Sequence, residues 1–177
     1  MKKFRVFNIE FDGIDKSGKD TIMKQIFAYA PNKYIPKSRG LLSQIAYSNL
    51  NKRNYEYEVT KGYLENTLFV YLTVDKEDWN IRCKLSGEYE NNAKRFDMKD
   101  NVALTYDLHS NAFDIAYAYI STLVDPTHMM KFNTSKMTPY QIIKAVVERL
   151  DMLNGKKALL ALKPVRQFSK NVCFFIF

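Results

Sequence analysis

The stretch FDGIDKSGKDT, residues 11–21, combines residue types and a spacing that suit phosphate binding. Gly13, Gly18 and Lys19 fit the pattern G-x-x-x-x-G-K. Glycines let the backbone turn so that successive N–H groups point at phosphate oxygens, and the lysine reaches the outer phosphates. The alternative is an ordinary strand-to-helix turn that contains a lysine by chance. The predicted strand before the stretch and the predicted helix after it favour the phosphate loop.

The position after Lys19 departs from this pattern. A Ser or Thr there ligates magnesium through its hydroxyl, whereas this chain has Asp20 followed by Thr21. A carboxylate is an oxygen ligand that suits Mg²⁺, so Asp20 could hold the metal directly or through water, or Thr21 could replace it after a small shift. Without metal, the Asp20 charge would repel phosphate. The sequence therefore predicts a strongly metal-dependent nucleotide site, with a damaged, weakly binding loop as the alternative.

The elements that must position this loop alternate between strands and helices. Periodicity predicts strands at residues 4–11, 33–37, 68–74 and 129–132, and helices at residues 22–30, 40–50, 77–85, 102–124 and 139–150. In the first strand, Phe4 and Val6 are predicted on one face and Phe7, Ile9 and Phe11 on the other, which is typical of a strand buried in a parallel sheet. The alternation predicts an α/β fold of three layers, in which helices flank a mostly parallel sheet as in P-loop NTPases.

Two stretches are predicted to lie outside this regular alternation. Residues 86–98 are polar and lack periodicity, which is typical of a surface loop that could act as a lid. Residues 1–155 are predicted to form one domain. Residues 156–177 end in VCFFIF and are predicted to pack on the same domain, either as an added strand or as an apolar plug.

Composition limits the partners. The 27 Lys and Arg residues exceed the 19 Asp and Glu residues, for a net charge of +8, so a negatively charged partner is expected. A nucleotide, a nucleic acid and an acidic surface all meet that condition, but the absence of an RNA-binding signature disfavours nucleic acid. No apolar run approaches the roughly 20 residues of a membrane helix, and neither a signal peptide nor a C-x-x-C pair is present. The expectation is a cytoplasmic protein with no membrane partner.

The phosphate loop resembles that of thymidylate kinases and their viral nucleoside monophosphate kinase relatives, most closely a compact, phage-type member. Residues 38–47, 70–88 and 138–150 resemble further segments in the family's order, although the phosphate loop is the only highly specific motif. The resemblance implies ATP-dependent, Mg²⁺-assisted phosphoryl transfer to a deoxynucleoside monophosphate, in the host cytoplasm if the chain is phage-encoded. Relatives commonly pair through helices, so a homodimer is one option for the oligomeric state.

The resemblance also assigns roles to individual residues. Asp15 matches an acid near the acceptor's sugar, and Arg39 matches the arginine that holds the acceptor's phosphate. Lys16 and Arg95 match basic residues that would offset charge on the transferred phosphoryl group. The implied ATP-binding residues are Gly13, Ser17, Gly18, Lys19, Asp20, Thr21 and Arg82, of which Asp20 and Thr21 are also the implied metal ligands. The implied catalytic residues are Asp15, Lys16, Lys19, Arg39 and Arg95. The implied acceptor-binding residues are Asp15, Arg39, Ser43 and Tyr47.

Departures from the family keep two other functions open. Ser38 stands where the family has an aspartate before the arginine, and Ser86 replaces a second arginine ahead of the lid. The segment before Arg39 is shorter than in the family, so the selected base cannot be read. The first alternative is a catalytically weak or inactive nucleotide-binding protein of the same fold. The second is a kinase that acts on a modified nucleotide or on a nucleic-acid 5′ end. His109 and His128 have no spaced partner and are not expected to bind metal or to catalyse.

Overall fold

In the computed structural model, residues 7–29, 34–51, 59–86 and 102–155 are described. Their strands form one sheet, and every neighbouring pair is parallel, in the order β2-β1-β3-β4. The strands are β1 (Phe7–Asp12), β2 (Tyr34–Ser38), β3 (Thr67–Thr73) and β4 (Met129–Asn133). The predictions for Phe4 and Val6, the lid at residues 87–98 including Arg95, and the tail at residues 156–177 lie outside the described residues.

Helices cover both faces of this sheet. They are α1 (Lys19–Tyr29), α2 (Leu41–Leu50), α3 (Lys61–Glu65), α4 (Lys76–Leu85), α5 (Val102–Ser121) and α6 (Pro139–Leu153), with a 3₁₀ turn at Pro126–His128. The predicted α/β class and the parallel sheet are confirmed, and the short helix α3 is an element that was not predicted. No helix in the described part of the chain has both the length and the apolar character needed to span a membrane.

The central strand β3 separates two apolar cores. Leu68, Val70 and Leu72 pack with α1 and α6, while Phe69 and Tyr71 pack with α2, α4 and α5. Successive side chains of a strand point to opposite faces, so this continuous apolar run buries both of its faces, as predicted. A strand that is apolar on both faces suits an inner position in the sheet, and β3 lies between β1 and β4.

Strand β1 differs from its predicted pattern on one face. Ile9 and Phe11 are buried together against α1 and α6, as predicted. The opposite face was predicted to be apolar, but in the described residues it carries the buried carboxylates Glu10 and Asp12. These two residues pair in register with Phe69 and Tyr71 of β3, so they lie on the face that α2 covers.

The order of the strands locates the place where a ligand would bind. The connection from β1 leads to β2 on one side, while β3 lies on the other side of β1. In open α/β sheets, ligands bind at the carboxyl ends of the strands where the strand order reverses. Asp12 ends β1, and the loop at residues 13–18 follows it directly. The fold therefore places the glycine-containing loop at the position expected for a binding site.

Candidate functional site

The loop at residues 13–18 has a backbone that turns sharply. Gly13, Lys16 and Gly18 have φ values of 147°, 65° and 88°, a region that side chains with a Cβ rarely adopt. Lys16 is not a glycine, so its conformation carries strain of the kind that concentrates at functional sites. The Ser17 N–H donates to the Ile14 carbonyl at 3.2 Å, which closes a turn inside the loop.

Gly13 packs directly on the backbone of β3. A Cβ added at Gly13 would lie 2.1 Å from the Leu72 carbonyl oxygen and 2.9 Å from the Ser17 hydroxyl. Only glycine therefore fits this position, both because of its positive φ and because of the contact with Leu72. The start of the loop is fixed against the rigid centre of the sheet.

Lys19 is the central cation of the loop. Its side chain is only 7% exposed, and its ammonium donates to the carbonyls of Gly13 at 2.8 Å and Ile14 at 2.7 Å. Burial lowers the pKa of this ammonium, while the neighbouring carboxylates, Asp15 first among them, raise it. An ammonium has three donors, so two bonds to the loop leave one for an anion. Lys19 also begins α1, whose N-terminus adds a partial positive charge.

Two side chains of α4 hold the loop from outside. Trp79 donates its indole N–H to the Asp15 carbonyl at 2.9 Å. Arg82 donates to the Lys16 carbonyl at 3.0 Å and to the hydroxyl and carbonyl of Thr134 at 3.0 and 3.1 Å. A trans peptide points its C=O and N–H in opposite directions, so these bonds direct the N–H groups of Lys16 and Ser17 away from α4. Arg82, predicted to bind ATP, lies behind the loop and supports it.

Asp15 joins the loop to the chain that follows β2. Its carboxylate lies 3.8 Å from the Arg39 guanidinium and 4.0 Å from the Lys19 ammonium. Arg39 has a φ of 59° and is 70% exposed, so it stands in solvent at the carboxyl edge of the sheet. Three residues assigned to transfer chemistry are thus brought together from two separate segments. Such an exposed ion pair contributes little to stability.

The two predicted acceptor residues of α2 lie in different environments. Ser43 is buried, and its hydroxyl donates a hydrogen bond to Asp12 at 2.5 Å, so this hydroxyl is engaged within the protein. Tyr47 is half-buried, and its ring meets the rings of His109 and Phe113 edge to face at 5.9 and 5.7 Å. Burial, followed by the charge of Asp15, raises the pKa of Tyr47 to about 12, so it stays a neutral phenol at physiological pH.

His109 borders the site. Besides its contact with Tyr47, its pKa responds to Asp15: burial lowers the pKa of the imidazole, and the Asp15 charge acts in the opposite direction. No pattern in the sequence indicates this position, because His109 lies far along the chain on α5 and approaches the loop only in the folded protein.

Asp12 and Glu10 form a buried acidic pair that was not among the predicted site residues. Glu10 accepts hydrogen bonds from the Leu41 N–H at 2.8 Å and from the Tyr63 hydroxyl. Asp12 is fully buried, and burial raises its pKa from 3.8 to about 6, while bonds from Ser43 lower it and the Glu10 charge raises it further. The only indication in the sequence is that two acidic residues, Glu10 and Asp12, alternate with apolar residues along β1.

The predicted metal ligands lie in the first turn of α1. Asp20 and Thr21 are both exposed there, next to the buried Lys19. The described residues contain no group of three or more His, Cys, Asp or Glu side chains arranged to hold a metal ion by themselves. Magnesium at nucleotide sites uses only one or two carboxylates, and phosphate oxygens and waters supply the rest. The single Asp20 carboxylate beside the Thr21 hydroxyl fits that kind of site.

No protein-family model, curated protein or solved structure matches this chain. A function for this chain must therefore be inferred from the side chains around the loop.

Asp12 makes the stability of the fold dependent on pH. Its folded pKa of about 6 lies above its ordinary value of 3.8, a difference worth roughly 3 kcal/mol. Because the folded state binds this proton more tightly, the contribution of Asp12 to stability is fully present below about pH 4 and is lost as the pH rises through 6. We expect Asp12→Asn to gain stability relative to the wild type between pH 4 and pH 7, and urea unfolding of both proteins across this range measures it. A difference in the free energy of unfolding between the two proteins that does not change with pH would contradict a raised pKa for Asp12.

Proposed function

We propose that the chain is a thymidylate kinase-like P-loop enzyme that transfers the γ-phosphoryl group of ATP to a nucleoside monophosphate with the help of Mg²⁺. The observation that carries the proposal is the buried Lys19 ammonium, which is held by the Gly13 and Ile14 carbonyls at the start of α1. A buried cation that has a donor to spare, beside a helix N-terminus, is suited to a polyphosphate.

The donor nucleotide would occupy the loop. Backbone N–H groups between Gly13 and Gly18 would surround its phosphates, and Lys19 would contact the outer ones. Ser17 is fully buried in this loop, and its hydroxyl oxygen has no hydrogen-bond partner among the described residues. Asp20 and Thr21 would hold Mg²⁺, which supplies positive charge to the phosphate oxygens.

The acceptor would lie on the side of the loop that faces α2. Arg39 stands in solvent 3.8 Å from Asp15, so its guanidinium is accessible to a phosphate. In this arrangement Asp15 orients Arg39 and contacts the acceptor's sugar, and the half-buried Tyr47 ring forms an apolar wall next to it. Lys16, together with Arg95, would offset charge on the transferred group.

Catalysis by such a site depends on position and charge. Phosphoryl transfer needs the donor and acceptor oxygens roughly in line and the developing charge neutralised, with little covalent participation by the protein. The loop would fix the donor, and Arg39 would fix the acceptor's phosphate beside it. Arg39 and Lys19 both approach the Asp15 carboxylate, so the two proposed binding positions would adjoin one another.

Transfer of label tests this proposal. Purified protein would be incubated with γ-labelled ATP and each of the common nucleoside and deoxynucleoside monophosphates, with and without Mg²⁺. We expect label in at least one acceptor, only when Mg²⁺ is present. A 5′-hydroxyl oligonucleotide in the same panel detects a kinase that acts on nucleic-acid ends. The absence of label in every acceptor, from protein that binds ATP, would contradict the kinase assignment.

A nucleotide-binding protein without catalysis is the second candidate. Ser38 ends β2 next to Arg39, where a catalytic carboxylate would be expected from the family resemblance. The carboxylate that directly precedes the loop, Asp12, is fully buried and bonded to Ser43. This candidate predicts that calorimetry detects ATP binding while no label is transferred. A gain of transfer in Ser38→Asp would then identify the missing group.

A further inference from the structure

The N-terminus of α2 is capped by another part of the chain. Its N-cap residue, Gly40, has no side chain to accept a hydrogen bond. The first-turn N–H groups bond instead to β1: Leu41 donates to Glu10 at 2.8 Å, and Ser43 donates to Asp12 at 3.2 Å. The Ser43 hydroxyl adds a second bond to Asp12. Unsatisfied N–H groups at a helix start need such acceptors.

Asp12 occupies the junction between the two halves of the candidate site. It is the last residue of β1 and directly precedes Gly13, the first residue of the phosphate loop. Through Ser43 it also holds the helix that begins just after Arg39 and carries Tyr47. One side chain therefore links the loop that would bind the donor to the helix that would bind the acceptor.

The chemistry of Asp12 is unusual for a purely structural cap. Its side chain is fully buried, and one carboxylate oxygen, Oδ2, has no hydrogen-bond partner among the described residues. A neutral Asn or Ser would accept only weaker bonds from Ser43, but it would avoid burying a charge, which is costly. Side chains that cost stability in this way concentrate where function requires them.

We propose that Asp12 is a positioning residue for the acceptor: its bonds to Ser43 fix the start of α2, and thereby set Arg39 and Tyr47 relative to the phosphate loop. This inference rests on the proposed kinase function and adds to it a residue that touches neither nucleotide. Its loss is expected to weaken binding of the acceptor, because α2 and Arg39 would lose their fixed register, while ATP binding through Lys19 and the loop amides would be retained.

Several titratable groups surround Asp12. Glu10 shares its face of β1, Lys19 approaches from α1, Tyr47 from α2 and Tyr63 from α3. Tyr47 and Tyr63 have raised pKa values because of burial, and the pKa of Lys19 is lowered for the same reason. Neither tyrosine is expected to ionise between pH 5 and 8.

The test compares Asp12→Asn with Ser43→Ala and with the control Asp151→Asn. Asp151 is also a buried carboxylate that accepts a hydroxyl bond, from Tyr34 at 3.5 Å, but it lies on α6 in the other core. Calorimetry would measure Kd for ATP and for each of the four common deoxynucleoside monophosphates. For Asp12→Asn we expect the acceptor's Kd to rise about tenfold and that of ATP to change less than twofold. Ser43→Ala should show a smaller rise, and the control should match the wild type.

A pH series separates positioning from a general loss of structure. The phosphate of the free acceptor titrates identically in both series, so its ionisation cancels in the ratio of the acceptor's Kd in Asp12→Asn to that in the wild type, and this ratio reports the change at Asp12. We expect this ratio to grow as the pH rises from 5 to 7, because the charged carboxylate is the form that holds Ser43 most strongly.

The outcomes distinguish this inference from the function on which it rests. A ratio near one at every pH, or an equal loss of ATP binding, would overturn the role of Asp12 while leaving the kinase proposal intact. If Asp12→Asn does not fold, an unchanged acceptor Kd in Ser43→Ala would overturn it equally. Failure of the wild type to bind any nucleoside monophosphate would overturn the proposed function and this inference together.

Discussion

Lys19→Ala is expected to abolish Mg²⁺-dependent transfer of label from ATP, with a fall in rate of roughly 10²- to 10³-fold or more. The ammonium is buried, donates to Gly13 and Ile14, and is the cation that would contact the outer phosphates. In a site that excludes water, a donor aimed at developing charge has a larger effect than one in solvent. Rates and ATP affinities measured for the purified variant test this expectation directly.

Lys24→Ala is the matched control for that experiment. Lys24 lies on the same helix and is exposed, so its removal changes the net charge by the same amount without touching the loop. We expect Lys24→Ala to retain the wild-type rate and ATP affinity. Thermal unfolding would confirm that Lys19→Ala still folds. Equal rates in the two variants would mean that Lys19 has no role at the site.

Gly13→Ala is expected to damage both the fold and the site. The new Cβ would lie 2.1 Å from the Leu72 carbonyl oxygen, which belongs to the backbone of the central strand and cannot move easily. The positive φ adds strain for any side chain. We expect a loss of roughly 3 kcal/mol in the free energy of unfolding, equivalent to a fall of about 6–12 °C in Tm, together with loss of ATP binding.

Gly62→Ala provides the comparison for this prediction. Gly62 lies in α3, where an added Cβ would meet no atom within 4 Å. Alanine favours a helix over glycine by up to about 1 kcal/mol, so the Tm of this variant should stay constant or rise slightly. A Tm for Gly13→Ala equal to that of Gly62→Ala would contradict the close packing of the loop on β3.

The sequence predicted the parts of the site that depend on local pattern. Gly13, Gly18 and Lys19 are close in sequence, and their spacing specifies a loop between a strand and a helix. The strand β3 was predicted because its apolar run is continuous, and the run is continuous because both faces are buried. The capping box at the start of α6 is also a local feature: the Gln141 N–H donates to the Thr138 hydroxyl, and the Thr138 N–H donates to the Gln141 side chain.

Features that depend on how elements pack together were not predictable from pattern alone. Glu10 and Asp12 cap α2 only because α2 covers that face of β1, so their alternation did not indicate their partners. Arg82 was assigned to ATP, yet its described bonds go to the Lys16 carbonyl and Thr134, a residue of the segment that follows β4. Helix α3 spans only Lys61–Glu65, which is too short for periodicity to reveal.

In the proposed site, the backbone between Gly13 and Lys19 binds the phosphates of a nucleotide. A series of ¹⁵N–¹H correlation spectra, recorded as ATP and Mg²⁺ are added, tests it most directly because each amide reports separately. We expect the largest saturable shifts on the amides of residues 13–21, and we expect Lys19→Ala to remove them. Saturable shifts confined to other regions, with the amides of this loop unchanged, would contradict it.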